Sequence, residues 1–355
     1  MKVFFDVKEL YYTTQYLPVF KELKKRGVEC KFGVYRNPDF NDVLQQVVEA
    51  EGIDAVWIES EKDSLAIYVD NAPDWIFFGN SYPWLNQLPG KTRSIQLGHG
   101  VGPKMSYYTK SDTPMDVRFV EGDRRYQKLQ EMYPKDTFVQ VGFAKLDPLI
   151  NGDFTPFDLQ ANGLDPSKKT LLYAPTFYPS SLELVPRSWP DEFAEYNLIV
   201  KPHFFSIAKA RYAAQRERID EWRKASNVYI ARKDEHSLLP FMATADLLIS
   251  EASSSLFEFA ALDKPIIWCD FLKLRWTYRG PLRYRFERRM DQDIKNYRHL
   301  GAHVGHYREL KKTVREQLST PAMFHKQRRE ITAQLVGRVD GKASSRIADY
   351  LQANS

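Results

Sequence analysis

The chain has 355 residues, of which 43% are hydrophobic, 27% charged and 14% aromatic, with a net charge of +5. At about 150 residues per domain it is long enough for two, and its composition excludes a disordered, collagen-like or low-complexity protein. No apolar run reaches the roughly 18 residues that a membrane-crossing helix needs. Charged residues at Lys2 and Asp6 come too early for the core of a signal peptide. Two cysteines, Cys30 and Cys269, are too few for a disulfide framework or a structural zinc site. A reducing, cytoplasmic setting fits this usage.

From the N-terminus, short β-rich apolar runs alternate with amphipathic stretches. Lys2–Val7 reads as a strand, Thr14–Arg26 as a helix closed by Gly27, and Val28–Val34 as the next strand. Further strands are expected at Ala55–Ile58, Asp74–Phe78, Thr92–Leu97, Val117–Val120 and Thr137–Val141. The stretch Asn162-Gly163-Leu164-Asp165-Pro166-Ser167 reads as a break, after which the pattern restarts. Strands follow at Thr170–Tyr173, Asn197–Val200, Asn227–Ile230, Asp246–Ile249 and Pro265–Trp268. Lys326–Leu351 reads as terminal helix, interrupted near Gly337 and Gly341. The expected architecture is α/β: two Rossmann-like, doubly wound domains facing a cleft, with ligands at the carboxyl ends of the strands. The boundaries expected are 1–163, 164–330, and a helical segment 331–355 that crosses back to the N-terminal domain.

Three strand ends carry chemistry. Gly98-His99-Gly100-Val101-Gly102-Pro103-Lys104 follows one strand. Its glycines allow close backbone approach to a ligand, and an imidazole can accept a hydroxyl proton near neutral pH. The competing structural reading is a tight turn whose histidine bonds its own loop. Val200-Lys201-Pro202-His203 ends a second strand and supplies two cationic groups for phosphate oxygens, or a packed histidine. Ser250-Glu251-Ala252-Ser253-Ser254-Ser255 runs from a strand into a helix, where hydroxyls and N–H groups suit a diphosphate or simply cap the helix. Glu258, one turn on, either reaches a ribose hydroxyl or faces solvent.

Other signals point elsewhere. His299, His303 and His306 would share one helical face, but Gly301 and Gly305 and the lack of a supplementing carboxylate argue against a metal site. No metal ligand set is therefore assigned. No Walker A loop or G-x-G-x-x-G fingerprint occurs. Seven arginines (Arg275, Arg279, Arg283, Arg285, Arg288, Arg289 and Arg298) crowd between Lys273 and Arg298 among aromatic residues. Such a patch attracts phosphates of a substrate, a polymer or a lipid surface. The chain has no recognisable nucleic-acid module.

Taken in order, His99-Gly100…Lys104, Gly142-Phe143-Ala144-Lys145-Leu146-Asp147, Tyr173-Ala174-Pro175-Thr176-Phe177, Lys201-Pro202-His203 and Ser250-Glu251-Ala252-Ser253-Ser254 form a pattern. With Phe257-Glu258-Phe259-Ala260…Lys264-Pro265 and Tyr278-Arg279-Gly280, it resembles the CDP-glycerol glycerophosphotransferase family, the teichoic-acid primases and polymerases of bacterial envelopes. Val101-Gly102 stands where that family has Thr-Pro, Ala144-Lys145 where it has Pro-Arg, and Glu251-Ala252 where it has Asp-Tyr. The resemblance implies a glycosyltransferase-B architecture and transfer of an alditol phosphate, glycerol phosphate first, from a CDP-alditol donor to an acceptor hydroxyl, releasing CMP.

It further implies His99 as general base and His203 as the group that neutralises the diphosphate. Lys201, Thr176, Ser253, Ser254, Ser255, Glu258 and Arg279 would hold the donor, and Gly100, Lys104 and Asp147 would form the acceptor loop. A divalent cation could assist. The acceptor would be lipid-linked or a glycan in envelope or capsule polymer synthesis, with peripheral association at an anionic membrane's inner face and no nucleic-acid partner. The rival readings are a glycosyltransferase or nucleotide-sugar epimerase on the same architecture, with Glu251 or Glu258 on a sugar ring, and a non-catalytic polyanion-binding protein.

Overall fold

Strands that read as unbroken apolar runs belong inside a parallel sheet covered on both faces. The computed structural model, which describes residues 1–103, 106–109, 114–285 and 292–355, contains two such sheets. One unit comprises Met1–Asp153 with Ala333–Ser355, and the other Phe154–Thr332.

The first unit contains β1 (Lys2–Val7), β2 (Glu29–Tyr35), β3 (Ala55–Ile58), β4 (Trp75–Phe78), β5 (Arg93–Leu97), β6 (Val117–Val120) and β7 (Thr137–Gln140). They lie in the order β3-β2-β1-β4-β5-β6-β7, every pair parallel. Register aligns Phe5 with Phe32 on one side and Phe77 on the other. Their rings stack at 4.7 Å on both sides, so the sheet's centre is an aromatic row sealed under the helix Thr13–Lys25.

The second unit contains β8 (Thr170–Ala174), β9 (Asn197–Val200), β10 (Val228–Ile230), β11 (Leu247–Ser250), β12 (Ile266–Cys269) and β13 (Ala302–Val304). The order is β10-β9-β8-β11-β12-β13, again all parallel. Its core is built around Trp189 and Trp222, whose rings meet edge to face at 4.9 Å, and Tyr173 from β8. All the expected strands form to within one residue at either end. β13 is additional: only three residues long and bracketed by Gly301 and Gly305, it offers no readable alternation.

The domain boundary falls ten residues earlier than the expected 163/164. Phe157 is the reason, since its ring packs on Tyr229 at 4.5 Å and Phe241 at 5.1 Å, and its carbonyl accepts from Thr244 Oγ1 at 3.1 Å. The Gly-Pro stretch at 162–167 is accordingly a turn inside the second unit, tied by Asn197 Nδ2 to the Asp165 carbonyl at 2.7 Å.

The terminal segment has two helices, His325–Leu335 and Ala343–Ala353, and its residues from Ala333 onward pack with the first unit. There the Asp147 carboxylate accepts the N–H groups of Ala343 at 3.2 Å and Ser344 at 2.6 Å, at the start of the last helix. Arg346 Nη1 donates to the Val141 carbonyl at 2.8 Å. Asp147 is therefore a buried helix cap, not part of an acceptor loop, and the Gly142–Asp147 motif is a dock for the chain's end. Asp147→Ala should lower stability by about 1–3 kcal/mol, the cost of stranding buried donors. Urea unfolding would measure this, and hydrogen exchange should quicken first across 343–353; unchanged exchange there would refute the assignment.

Candidate functional site

In the first unit, polar groups collect where β1, β4 and β5 end. His99 follows β5, and its ring lies 4.6 Å from Tyr11, 5.1 Å from Tyr12 and 5.2 Å from Tyr107. Tyr12 accepts a hydrogen bond from Asn80 just beyond β4. Three tyrosines thus hold a half-buried imidazole at the sheet's carboxyl edge, the place from which it can take a proton.

The flanking glycines have a different purpose from the one expected. A Cβ on Gly98 would stand 2.1 Å from Arg125 Nη1, and one on Gly100 2.3 Å from Tyr107 Oη. The room they leave is filled by the protein itself. Arg125, in the helix Asp123–Met132, donates to the Gly100 carbonyl and pairs with Glu121 at 2.9 Å. Burial pushes the Glu121 carboxyl up, and the Arg125 guanidinium draws it back down. Lys104 lies outside the described residues.

In the second unit the edge is formed by the ends of β8, β9, β11 and β12. His203 caps the short helix Phe204–Ala208, its Nδ1 accepting from the Phe205 N–H at 3.1 Å. That bond places the neutral ring's hydrogen on Nε2, which becomes a donor. Phe177 at 4.6 Å and Phe205 at 5.1 Å hold the ring's faces. Lys201 is largely buried, with its Nζ 5.0 Å from the Phe204 ring centre.

The serine cluster divides into two layers. Ser253 caps the helix Ser254–Ala260, accepting from Ser255 N at 3.3 Å, and Ser253 and Ser254 are half-buried. Ser255 is buried, its Oγ 3.1 Å from Ser253 Oγ and 3.2 Å from Ser250 Oγ. It braces the helix start from beneath. Glu258 is only 1% exposed, which removes the solvent-facing alternative and encloses the side chain within the unit.

Glu251 is the residue whose role the sequence did not disclose. Its buried carboxylate accepts from Thr176 N at 2.6 Å, Ser181 N at 2.7 Å, Ser180 Oγ at 3.3 Å and Ser181 Oγ. Thr176 is thereby held in the loop after β8, and its own hydroxyl donates to the Pro179 carbonyl at 2.6 Å. The same loop receives the start of the arginine-rich segment. Lys273 N donates to the Ser180 carbonyl at 2.8 Å, and the Arg275 guanidinium lies 4.2 Å over the Tyr178 ring. Arg275, not Arg279, is thus the arginine seated on this loop; Arg279 is exposed and donates to the Leu274 carbonyl at 2.7 Å.

His299, His303 and His306 do not share a helix. His299 ends the 3-10 turn Gln292–Leu300, His303 lies in β13, and His306 precedes the helix Tyr307–Ser319. His303 contacts Asp270 at 2.9 Å and the Arg298 carbonyl at 2.6 Å. Among the described residues no cluster of three His, Cys, Asp or Glu side chains could hold a metal ion.

A family model described as CDP-Glycerol:Poly(glycerophosphate) glycerophosphotransferase matches residues 115–353. A teichoic acid glycerol-phosphate primase of Bacillus subtilis (strain 168) is 27% identical over 212 residues, 54% of this chain and 53% of that protein. A second such primase, from Bacillus spizizenii, is 28% identical over 134 residues, 38% of this chain and 34% of that protein. The matched stretch spans about half the length of the first relative and a third of the second. Among solved structures, a variant of the wall teichoic acid polymerase TagF soaked with CDPG superposes with a TM-score of 0.69 at 15% identity, over 99% of this chain and 88% of that one. The UDP-GlcNAc 2-epimerase from Neisseria meningitidis superposes with a TM-score of 0.62 at 15% identity over 100% of both chains. These likenesses show the fold, which is of the glycosyltransferase-B type.

One buried carboxylate near His99 makes a pH prediction. Asp6, at the end of β1, accepts from Tyr35 Oη at 2.8 Å and Tyr68 Oη at 2.6 Å. Burial raises its pKa from 3.8 to about 6, against the lowering effect of both tyrosines. A carboxyl raised on folding stabilises most below its unfolded value, and that stability is lost as pH rises through about 6. The span corresponds to about 3 kcal/mol. The stability of the parent relative to Asp6→Asn should therefore fall between pH 3.5 and 6.5, each value ~0.3–0.5 outside the titration window. A difference independent of pH in urea unfolding would overturn this.

Proposed function

The chain belongs to the CDP-glycerol:poly(glycerophosphate) glycerophosphotransferase family, and on that premise we propose that it moves glycerol phosphate from CDP-glycerol to an acceptor hydroxyl in envelope-polymer synthesis. The observation that carries this reading is the second unit's edge: His203 with a donor at Nε2, Lys201, and the half-buried Ser253 and Ser254, all within the family match. In this reading His99 takes the acceptor's proton and the acceptor oxygen attacks the phosphorus that bears glycerol. The bond from that phosphorus to the bridging oxygen breaks, and CMP leaves with the electron pair. His203 and Lys201 offset the charge that grows on the departing phosphate, while Ser253 and Ser254 orient the diphosphate. Transfer of this kind needs positioning and charge stabilisation more than covalent participation. Whether a divalent cation assists is decided by assaying with magnesium and with a chelator.

The expected outcome is a thermal shift with CDP-glycerol that exceeds those with CDP-ribitol and UDP-GlcNAc. A ligand at 100 times its Kd adds about 2.7 kcal/mol. His99→Ala should lose about 100- to 10,000-fold in rate and keep the shift; Ser253→Ala with Ser254→Ala should lose the shift. A nucleoside diphosphate and a glycoside as products would replace this reading with a sugar transferase, and near-parental turnover in His99→Ala would remove the base.

For partners, we propose a lipid-linked acceptor met at an anionic bilayer surface. No helix among the described residues is long and apolar enough to cross a membrane. Support comes from Trp276, 77% exposed, and Tyr284, 47% exposed, interleaved with exposed Lys273, Arg275, Arg279, Arg283 and Arg285. Aromatic rings favour the headgroup region, and each basic residue near an anionic surface contributes about 1 kcal/mol. Arg288 and Arg289 lie outside the described residues. Sedimentation with phosphatidylglycerol vesicles should show binding that salt weakens and that Gln at 275, 279, 283 and 285 reduces. Equal sedimentation of the quadruple variant would refute the surface.

A further inference from the structure

We propose that Glu251 is a positioning residue for His203, acting through the loop 176–181; this rests on the role given to His203 above. Glu251 and His203 stand at the ends of different strands, β11 and β9, and the loop after β8 lies between those strands in the sheet order. Glu251 grips that loop at both ends, through Thr176 N and Ser181 N. Between the two grips is Phe177, whose ring lies 4.6 Å from the His203 imidazole. The Phe177 carbonyl is fixed separately by Gln215 Nε2 at 3.0 Å, and its ring also meets Phe205 at 5.0 Å and Tyr212 at 6.0 Å. The imidazole is thus clamped by a ring whose backbone is set by a buried carboxylate.

Two acceptor oxygens are required, not only the shape. Oε2 receives one backbone N–H and Oε1 another, and a backbone N–H cannot turn around to accept. An amide at this position has one acceptor oxygen. Whichever way it sits, its NH2 faces an N–H, and that end of the loop is released. The serine hydroxyls of 180 and 181 can reorient; Thr176 N and Ser181 N cannot. With both oxygens occupied and the residue 1% exposed, Glu251 is also removed from direct contact with a sugar ring or a donor.

Glu251→Gln in the full chain separates these roles. Long-range 1H–15N spectra of histidine-labelled protein, with His203→Gln used to assign the signal, report which ring nitrogen carries the hydrogen. The parent should show the Nε2–H form, and Glu251→Gln a mixture of both forms. Its kcat should fall about 10- to 100-fold, the cost of misplacing a catalytic group by about 1 Å, while KM for CDP-glycerol stays near parental. Phe177→Leu, which leaves the carboxylate's grip intact, should move the His203 signal the same way and decides the matter if Glu251→Gln does not fold. Parental His203 signals and kcat in either folded variant overturn the proposal, as does a loss of melting temperature alone. Parental turnover in His203→Gln would instead overturn the role given to His203; the nitrogen signals would still judge its coupling to Glu251.

Discussion

A parallel sheet covered on both faces satisfies its own backbone and gathers loop-borne polar side chains where its strands stop. The candidate site residues described in both units follow that constraint. Asp6 lies near the end of β1, and Asn80 and His99 follow β4 and β5; Thr176, His203, Glu251 and Asp270 follow β8, β9, β11 and β12. The interior between them is aromatic and aliphatic, from the Phe32-Phe5-Phe77 row to the Trp189–Trp222 pair. Such close packing fixes where the strands end.

The loops beyond the strand ends have no ladder to hold them, and both units solve this with a buried ion. Arg125 supports the His99 loop from one side, and Glu251 ties the 176–181 loop. Both carboxylate oxygens of Glu251 are taken up by its loop, and Arg125 is shared between the Gly100 carbonyl and Glu121. A buried group of this kind is weak evidence for stability, but removing one partner strands the other. The arrangement also accounts for Gly98 and Gly100, whose missing side chains leave space for Arg125 and Tyr107.

Some of the sequence motifs fasten the fold internally. Gly142–Asp147 receives the C-terminal helix, and Ser255 supports Ser253 from beneath. The basic segment begins as a strap on the Tyr178–Ser180 loop and ends where Arg298 pairs with Asp270, whose carboxyl is held down at about 2 by His303 and Arg298 against the upward push of burial.

Periodicity and composition determined most of the architecture. Buried strands are short apolar runs, helices carry one apolar face, and both are properties of neighbouring residues. The alternation of strand and helix then implied two parallel sheets and located His99, His203 and the serine cluster at strand ends. β13 escaped because three residues between glycines carry no period, and the boundary at 153/154 escaped because Phe157 is anchored by residues more than 70 positions away. The roles of carboxylates were decided by tertiary structure alone. Glu251 meets Thr176 across 75 residues, and Asp147 meets Ser344 across 197. A carboxylate binds whichever donors the fold brings within about 3 Å, and that distance is set by the packing of whole sheets, to which no local pattern has access.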